Sequence, residues 1–328
     1  MSTSVTPTSV IFNDTTVQTT ATNRKVGYFG LLDNIGYVAP IATIGANSPA
    51  SSAYCPSTDK IYVCSVGANQ VAVIAPSNNA TTFVTVGSAP YRLAYCPSND
   101  RMYVCNYNSN NVSVIDPLTN TVVATISLAP QAQPYAVAYC PSNNRMYVCN
   151  FTSNTVSVID PVTHTIAATV IVGTQPDSIT YCPTTDKLYI GLNGSSSVSI
   201  ITPSTNAHTF FAAPTISTGI AYCPTNDRIY LVGAFGAVSV INPLTNTIVA
   251  TITVGSSPYE IAYCPTNDRI YVCNYGSNNV SIINPSTNTI IQTVATNYPN
   301  GIAYCPSNDR MYVSIATGSV RILTCGVS

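Results

Sequence analysis

The tripeptide Tyr-Cys-Pro recurs seven times, with its cysteine at Cys55, Cys96, Cys140, Cys182, Cys223, Cys264 and Cys305. A near-constant period of this length means that one supersecondary unit is copied along the chain, each copy burying its apolar faces against the next. The second copy holds four short apolar stretches, at 93–96, 102–105, 112–115 and 122–126. Each is rich in β-branched or aromatic residues and is bounded by Pro, Asn, Ser, Asp or Gly, the pattern of short strands between turns. The separators Pro-Ser-Asn-Asp and Asp-Pro-Leu-Thr-Asn form turns by known means: proline presets φ, while Asn and Asp tolerate left-handed backbone. No 3.6-residue period is sustained, so essentially no helix is predicted.

Four antiparallel strands in a repeat of about 42 residues is the pattern of a propeller blade. The predicted fold is therefore all-β, a seven-bladed β-propeller, with strands A to D running from the axis outward in each blade. The seventh copy supplies A, B and C at 302–305, 311–314 and 319–323 but no D. Residues 36–45, Gly-Tyr-Val-Ala-Pro-Ile-Ala-Thr-Ile-Gly, resemble the D strand at 247–255. They are predicted to pair with 319–323 and complete the last blade, which removes the open edges that seed aggregation. Residues 1–35 then form a Ser/Thr-rich N-terminal arm outside the ring, expected to be a flexible arm or, alternatively, one that docks on a neighbouring subunit through its apolar stretch 28–32, and 36–328 form the propeller.

Tyr103-Val104-Cys105-Asn106, Tyr147-Val148-Cys149-Asn150 and Tyr271-Val272-Cys273-Asn274 resemble the YVTN family of β-propeller repeats. So do the strands that follow in blade two, Val112-Ser113-Val114-Ile115-Asp116 and Thr121-Val122-Val123-Ala124-Thr125-Ile126. The resemblance covers about 36–325 and implies a propeller of the kind found in surface-layer or cell-surface proteins of archaea and bacteria. It implies no single activity. The chain departs from the family in placing Cys where the family has Thr, and in writing the Ser-Pro-Asp-Gly turn as Cys-Pro-Ser-Asn-Asp. Blades four, five and seven lose the Tyr-Val-Thr-Asn match.

Only 7% of residues are charged and the net charge is −1, so no basic field exists to hold nucleic acid or anionic lipid. No apolar run reaches the roughly 18 residues of a membrane span, and none is expected to insert. The N-terminal segment up to Lys25 lacks the basic and apolar regions of a secretory signal. Solubility rests on Asn, Ser and Thr, a surface that suits self-association or contact with other surface proteins outside a cell or on a virus particle.

Of twelve cysteines, seven end strand A, while Cys64, Cys105, Cys149 and Cys273 end strand B and Cys325 stands apart. A tight A–B hairpin pairs Cys55 with Asp59 or Lys60, leaving Cys64 about four residues, or roughly 13 Å, out of register. That excludes a bridge within a blade, since the Cα atoms must lie within about 7 Å. A bridge between blades stays open, but strand-B cysteines exist in only four blades, so no such pairing can repeat seven times and buried free thiols are expected. With no C-x-x-C pair and no histidine partner, no metal site is expected, and no cofactor motif is present.

Both histidines, His164 and His208, fall in C–D turns on the outer rim. Asp and a basic residue adjoin after nearly every A–B turn, as in Asp59-Lys60 and Asp100-Arg101, which reads as ion pairing and turn capping on one face. The opposite face is the expected ligand or partner face. Its B–C loops carry Asn106-Tyr107, Asn150-Phe151 and Asn274-Tyr275, and its D–A loops carry Tyr91-Arg92, Tyr135, Asp177 and Tyr259-Glu260. Rings beside amides suit sugars or a protein surface. Arg92, Asp177 and Glu260 lie on blades two, four and six, which reads as too far apart for an acid–base set. No catalytic residue is therefore named. The sequence reading is a non-enzymatic structural or adhesive propeller, with a glycan-binding module and a channel-mouth enzyme such as a lactonase as alternatives.

Overall fold

The computed structural model describes residues 37–43 and 48–325. It contains seven four-stranded antiparallel sheets, each meandering from an inner strand A to an outer strand D. The blades comprise 49–85, 90–127, 134–171, 176–212, 217–253 and 258–295, with 299–324 joined by Tyr37–Thr43. That last pairing bears out the predicted closure. Tyr37 lies opposite Leu323 and Thr43 opposite Ser319, antiparallel, with a bulge between Val38 and Ala42. The arm at 1–35 lies outside the described residues. Among those described, the single helical piece is a 3-10 turn at Val66–Ala68.

The core sits in the seams between blades, because a sheet apolar on both faces must be covered twice. Seven apolar clusters occur, each joining two neighbouring blades around the ring. Past its opening basic residue strand B is enclosed, and its Tyr62, Tyr103, Tyr147, Tyr189, Tyr230, Tyr271 and Tyr312 are the largest buried side chains. A phenol buried so deeply needs hydrogen-bond partners. In five blades the hydroxyl accepts from an asparagine of its own A–B turn, as in Asn226 Nδ2 to Tyr230 at 2.9 Å. In four blades it donates to an asparagine of the next blade's C–D turn, as in Tyr230 to Asn288 Oδ1 at 3.1 Å. His164 occupies this turn position in blade three and packs edge-on against Tyr103. All twelve cysteines are buried free thiols, and Cys55 lies opposite Lys60, the expected register.

The A–B turns differ from expectation in one respect. Asp59, Asp100, Asp186, Asp227, Asp268 and Asp309, with Asn144, all take φ near +50°, which a short polar side chain tolerates best. Among the described residues no ion pair joins Asp59, Asp100, Asp186, Asp227 or Asp309 to its adjoining base. Each accepts from the tyrosine of its own strand A, as in Tyr95 to Asp100 at 2.9 Å. Ser57 to Asp100 and Thr225 to Asp268 then tie one blade to the next. The arginines fold back onto the preceding carbonyl, and Arg101 and Arg145 reach Asp116 and Asp160 of the C–D turn at 3.4 and 3.2 Å.

Candidate functional site at the channel mouth

Strand A opens with proline in six of the seven blades and with Ser217 in blade five. Proline has no N–H to give to the ladder and so suits the first position of a strand. Just after it the pairing with strand B breaks in every blade. In blades one, two and six the ladder skips from Pro49 to Ser52, from Pro90 to Leu93 and from Pro258 to Ile261. Ala50, Ser51, Tyr91, Arg92, Tyr259 and Glu260 therefore sit in bulges at the inner rim, where a bulge re-aims side chains. The loops are held by a repeated backbone bond, for example Tyr107 N to Ala89 O and Tyr275 N to Ser257 O.

Arg92 crosses the axis. From blade two its Nη2 donates to Thr218 O of blade five at 2.8 Å, its Nη1 lies 3.9 Å from Glu260 Oε1 of blade six, and its guanidinium stands 5.6 Å from the Tyr135 ring centre. Glu260 also accepts from Ser51 Oγ at 2.8 Å and from the Ile302 N–H at 3.2 Å. Room for this carboxylate comes from Gly301, where a Cβ would stand 2.8 Å from Glu260 Oε2 and would collide with Ala50 O. Burial raises the Glu260 pKa, and Arg92, Ser51 and the Ile302 amide restrain the rise. Burial works against the Arg92 charge too, but Glu260 and the other negative partners more than offset it and leave its pKa raised. Asp177, 3% exposed on blade four, is pushed up to about 7 by burial, with Arg92 pulling the other way.

The expectation that the charges on blades two, four and six lie too far apart for an acid–base set is corrected for one pair: Arg92 and Glu260 meet across the channel, while Asp177 stays enclosed on blade four. Blade separation was the wrong measure, because at the axis an arginine's length spans the channel. Arg92 contacts Glu260 directly and senses Asp177 electrostatically.

Above this pair lies a cavity of about 400 Å³ lined by Ser51, Tyr91, Arg92, Tyr135, Tyr259, Glu260, Tyr275 and Asn300 among others. Arg92 and Glu260 each keep 14% side-chain exposure, so both are reachable from it. Two aromatic walls flank it. Tyr91 and Tyr135 stack at 4.8 Å, with Tyr107 and Phe151 packed onto them, and on the other side Tyr275 contacts Tyr259 and Tyr298. Tyr298, Ser51 and Asn300 were not singled out from the sequence, although the repeat register marks Ser51 and Asn300 as strand-A rim positions.

Other sequence candidates lie elsewhere. Asn106, Asn150 and Asn274 are 0–2% exposed and do not reach the face. Each directs its amide nitrogen within its own blade, as in Asn106 Nδ2 to Asn111 Oδ1 and Ser113 Oγ, both at 2.8 Å. They lock the B–C hairpin from inside. Asp177 is enclosed and accepts from Asn193 Nδ2 at 3.4 Å. His208 lies on the outer strand of blade four, bonded to Ser199 Oγ at 3.0 Å, and does not approach the channel.

No protein-family model matches the chain, so the surface-layer resemblance is not shown beyond the propeller itself. No curated protein matches it either. Solved structures do. A streptogramin B lyase matches with a TM-score of 0.75 at 16% identity, covering 88% of this chain and 95% of the other. A virginiamycin B lyase from Staphylococcus aureus gives 0.74 at 15% identity, covering 89% and 99%. The Kuenenia stuttgartiensis hydrazine synthase gives 0.76 at 17% identity, covering 89% and 100%.

At such identities the likeness fixes the fold alone. It corrects the reading of a non-enzymatic structural or adhesive protein to this extent: enzymes use this fold over nearly the whole of their matched chains, so the propeller lends a non-enzymatic role no support. The same finding corrects the expectation that the chain is not an enzyme. Both had rested on surface composition, the surface-layer resemblance and the supposed separation of the mouth charges.

Proposed function

We propose that the chain is a channel-mouth enzyme that moves a proton on a small substrate carrying a carbonyl or anionic oxygen. Arg92 holds that oxygen and stabilises the charge that develops on it. Glu260 is the base, and then the acid. Burial supports both roles, since it strengthens the Coulombic hold of Arg92 and makes the Glu260 carboxylate a stronger base. The two aromatic walls take the substrate's ring or apolar face, and about 400 Å³ suits a small molecule. The single observation that carries the reading is the Arg92–Glu260 pair, 3.9 Å apart at the floor of that cavity and open to it.

Two reaction classes fit this machinery, opening of an ester by elimination or its hydrolysis, as in a lactone. The lyases among the similar folds lend support to the first. One of them is a catalytically inactive histidine-to-alanine variant crystallised with quinupristin. Neither histidine of the present chain reaches the mouth, so here the proton transfer falls to a carboxylate.

The test is turnover of a panel of lactones and cyclic esters, quinupristin included, followed by mass spectrometry. Elimination leaves product and substrate isomeric, whereas hydrolysis adds one water. The Glu260→Gln enzyme is expected to lose at least about 100-fold in kcat, the usual worth of a positioned base. Turnover unchanged in that variant rules the assignment out. A second reading, glycan binding without turnover, is favoured by the stacked Tyr91–Tyr135 pair facing Tyr259 and Tyr275. Glycan-array binding lost on Tyr275→Ala, with no substrate turned over, selects it.

A further inference from the structure

We infer that Cys264, Asp309 and Cys325 form a site for a thiophilic divalent cation of the zinc class at the seam between blades six and seven. Their two sulfurs and a carboxylate oxygen all lie within 4.8 Å of one another, and among the described residues this is the one such cluster. A tetrahedral zinc ion with Zn–S of about 2.3 Å and Zn–O of about 2.1 Å sets its ligand atoms roughly 3.5–3.8 Å apart. The cluster is compatible with that spacing.

The repeat itself singles the site out. Strand C is followed by proline in the first six blades: Pro76, Pro117, Pro161, Pro203, Pro243 and Pro285. In the seventh the same position is Cys325. The equivalence is structural, because Asn267 Nδ2 donates to Cys325 O at 3.0 Å just as Asn99 does to Pro161 O and Asn226 does to Pro285 O. This one substitution sets a second sulfur beside the strand-A cysteine of the preceding blade.

The surroundings favour the three groups as a set. In five of the other six blades the strand-A thiol contacts a hydroxyl of the turn that follows it, as in Cys223 to Thr225 and Cys305 to Ser307. At Cys264, as at Cys182 in blade four, that hydroxyl bonds the tyrosine of the next blade instead, Thr266 Oγ1 with Tyr304, and among the described residues only beside Cys264 does a second sulfur, that of Cys325, lie within reach. The backbone holds Asp309 to Cys325 through Cys325 N to Asp309 O at 3.2 Å. Sequence spacing concealed the site because its ligands come from three separate places: the end of strand A in the sixth copy, the A–B turn of the seventh, and the end of strand C in the seventh. It lies about 13 Å along strand A from Glu260, at the opposite face from the mouth.

Binding needs no oxidant. The cation displaces one proton from each thiol to the solvent, the carboxylate binds as it is, and the fourth position is left to water. The effect is to pin the last strand of the repeat array to blade six, at the blade that Tyr37–Thr43 completes.

The experiment uses the full chain, reduced and stripped of metal. Zinc is titrated against a chromophoric chelator, and cobalt(II) is substituted to read thiolate-to-metal charge transfer. The expected result is one equivalent bound, with a cobalt band of a two-thiolate site and a raised thermal midpoint. Cys325→Pro, which restores the residue of the other six blades and so is expected to fold, abolishes the band. It weakens zinc by at least about 100-fold, beyond the usual cost of disturbing a supporting residue. Asp309→Asn weakens zinc while keeping the band. Equal binding by the parent and Cys325→Pro overturns the proposal, as does a parent that takes up no zinc. So does a Cys264–Cys325 disulfide that persists under the reducing conditions.

Discussion

Replacing Asp177 by asparagine removes a carboxyl that folding holds in its neutral form. The side chain is 3% exposed, and its pKa rises from 3.8 to about 7, first through burial and against the pull of Arg92 and the hydrogen bonds from Ser178, Asn193 and Ser217. The native state therefore keeps a proton that the unfolded chain releases. Between about pH 4 and pH 7 the folded form binds more protons, so its stability falls as pH rises, and the whole penalty is present above pH 7. The interval is about 3 pH units, which at about 1.4 kcal/mol per unit makes about 4 kcal/mol. Asparagine is neutral at every pH, nearly the same shape, and its carbonyl still accepts from Asn193. Urea unfolding followed by circular dichroism at pH 4, 6 and 8 measures the difference between variant and parent. The variant should match the parent near pH 4 and exceed it by roughly 4 kcal/mol at pH 8. Glu260, also raised, is present in both proteins and cancels. A difference independent of pH, or a variant less stable at pH 8, would refute the reasoning.

Tyr230→Phe strips a hydroxyl from between Asn226 Nδ2 and Asn288 Oδ1, half-buried amides of which Asn226 keeps its bond to Pro285 O, and should cost about 1 kcal/mol in urea unfolding. Gly301→Ala forces a Cβ against Ala50 O and Glu260 Oε2. It should cost about 1–3 kcal/mol by crowding and lower turnover in the same assay that reads Glu260→Gln. Deleting residues 1–43 leaves the outer edge of Ser319–Thr324 unpaired, and light scattering should report association that the parent lacks at equal concentration. Tyr107→Ala removes one ring that backs Tyr91 and Tyr135, and should raise KM with little change in kcat, because it touches the wall and not the charged pair.

The blade count, the strand order and the closing role of 37–43 were legible in the residues, because a repeat writes its local rules seven times over. Apolar runs between Pro, Asn and Asp turns leave the backbone one arrangement, and a missing D strand calls for its replacement. The register that keeps Cys55 away from Cys64 followed from the same turn geometry. What lies where blades meet was not legible. Asn106, Asn150 and Asn274 look like ligand-facing amides along the chain, and only burial shows them turned inward. Arg92 belongs to the second copy and Glu260 to the sixth, while Cys264 ends the first strand of the sixth copy and Cys325 follows the last strand of the seventh. Strand periodicity states which face of its own sheet a side chain occupies. It is silent on which distant blade closes over that face, because ring closure is a property of all seven copies at once. The contents of the channel and of the last seam were decided there, by the tertiary structure.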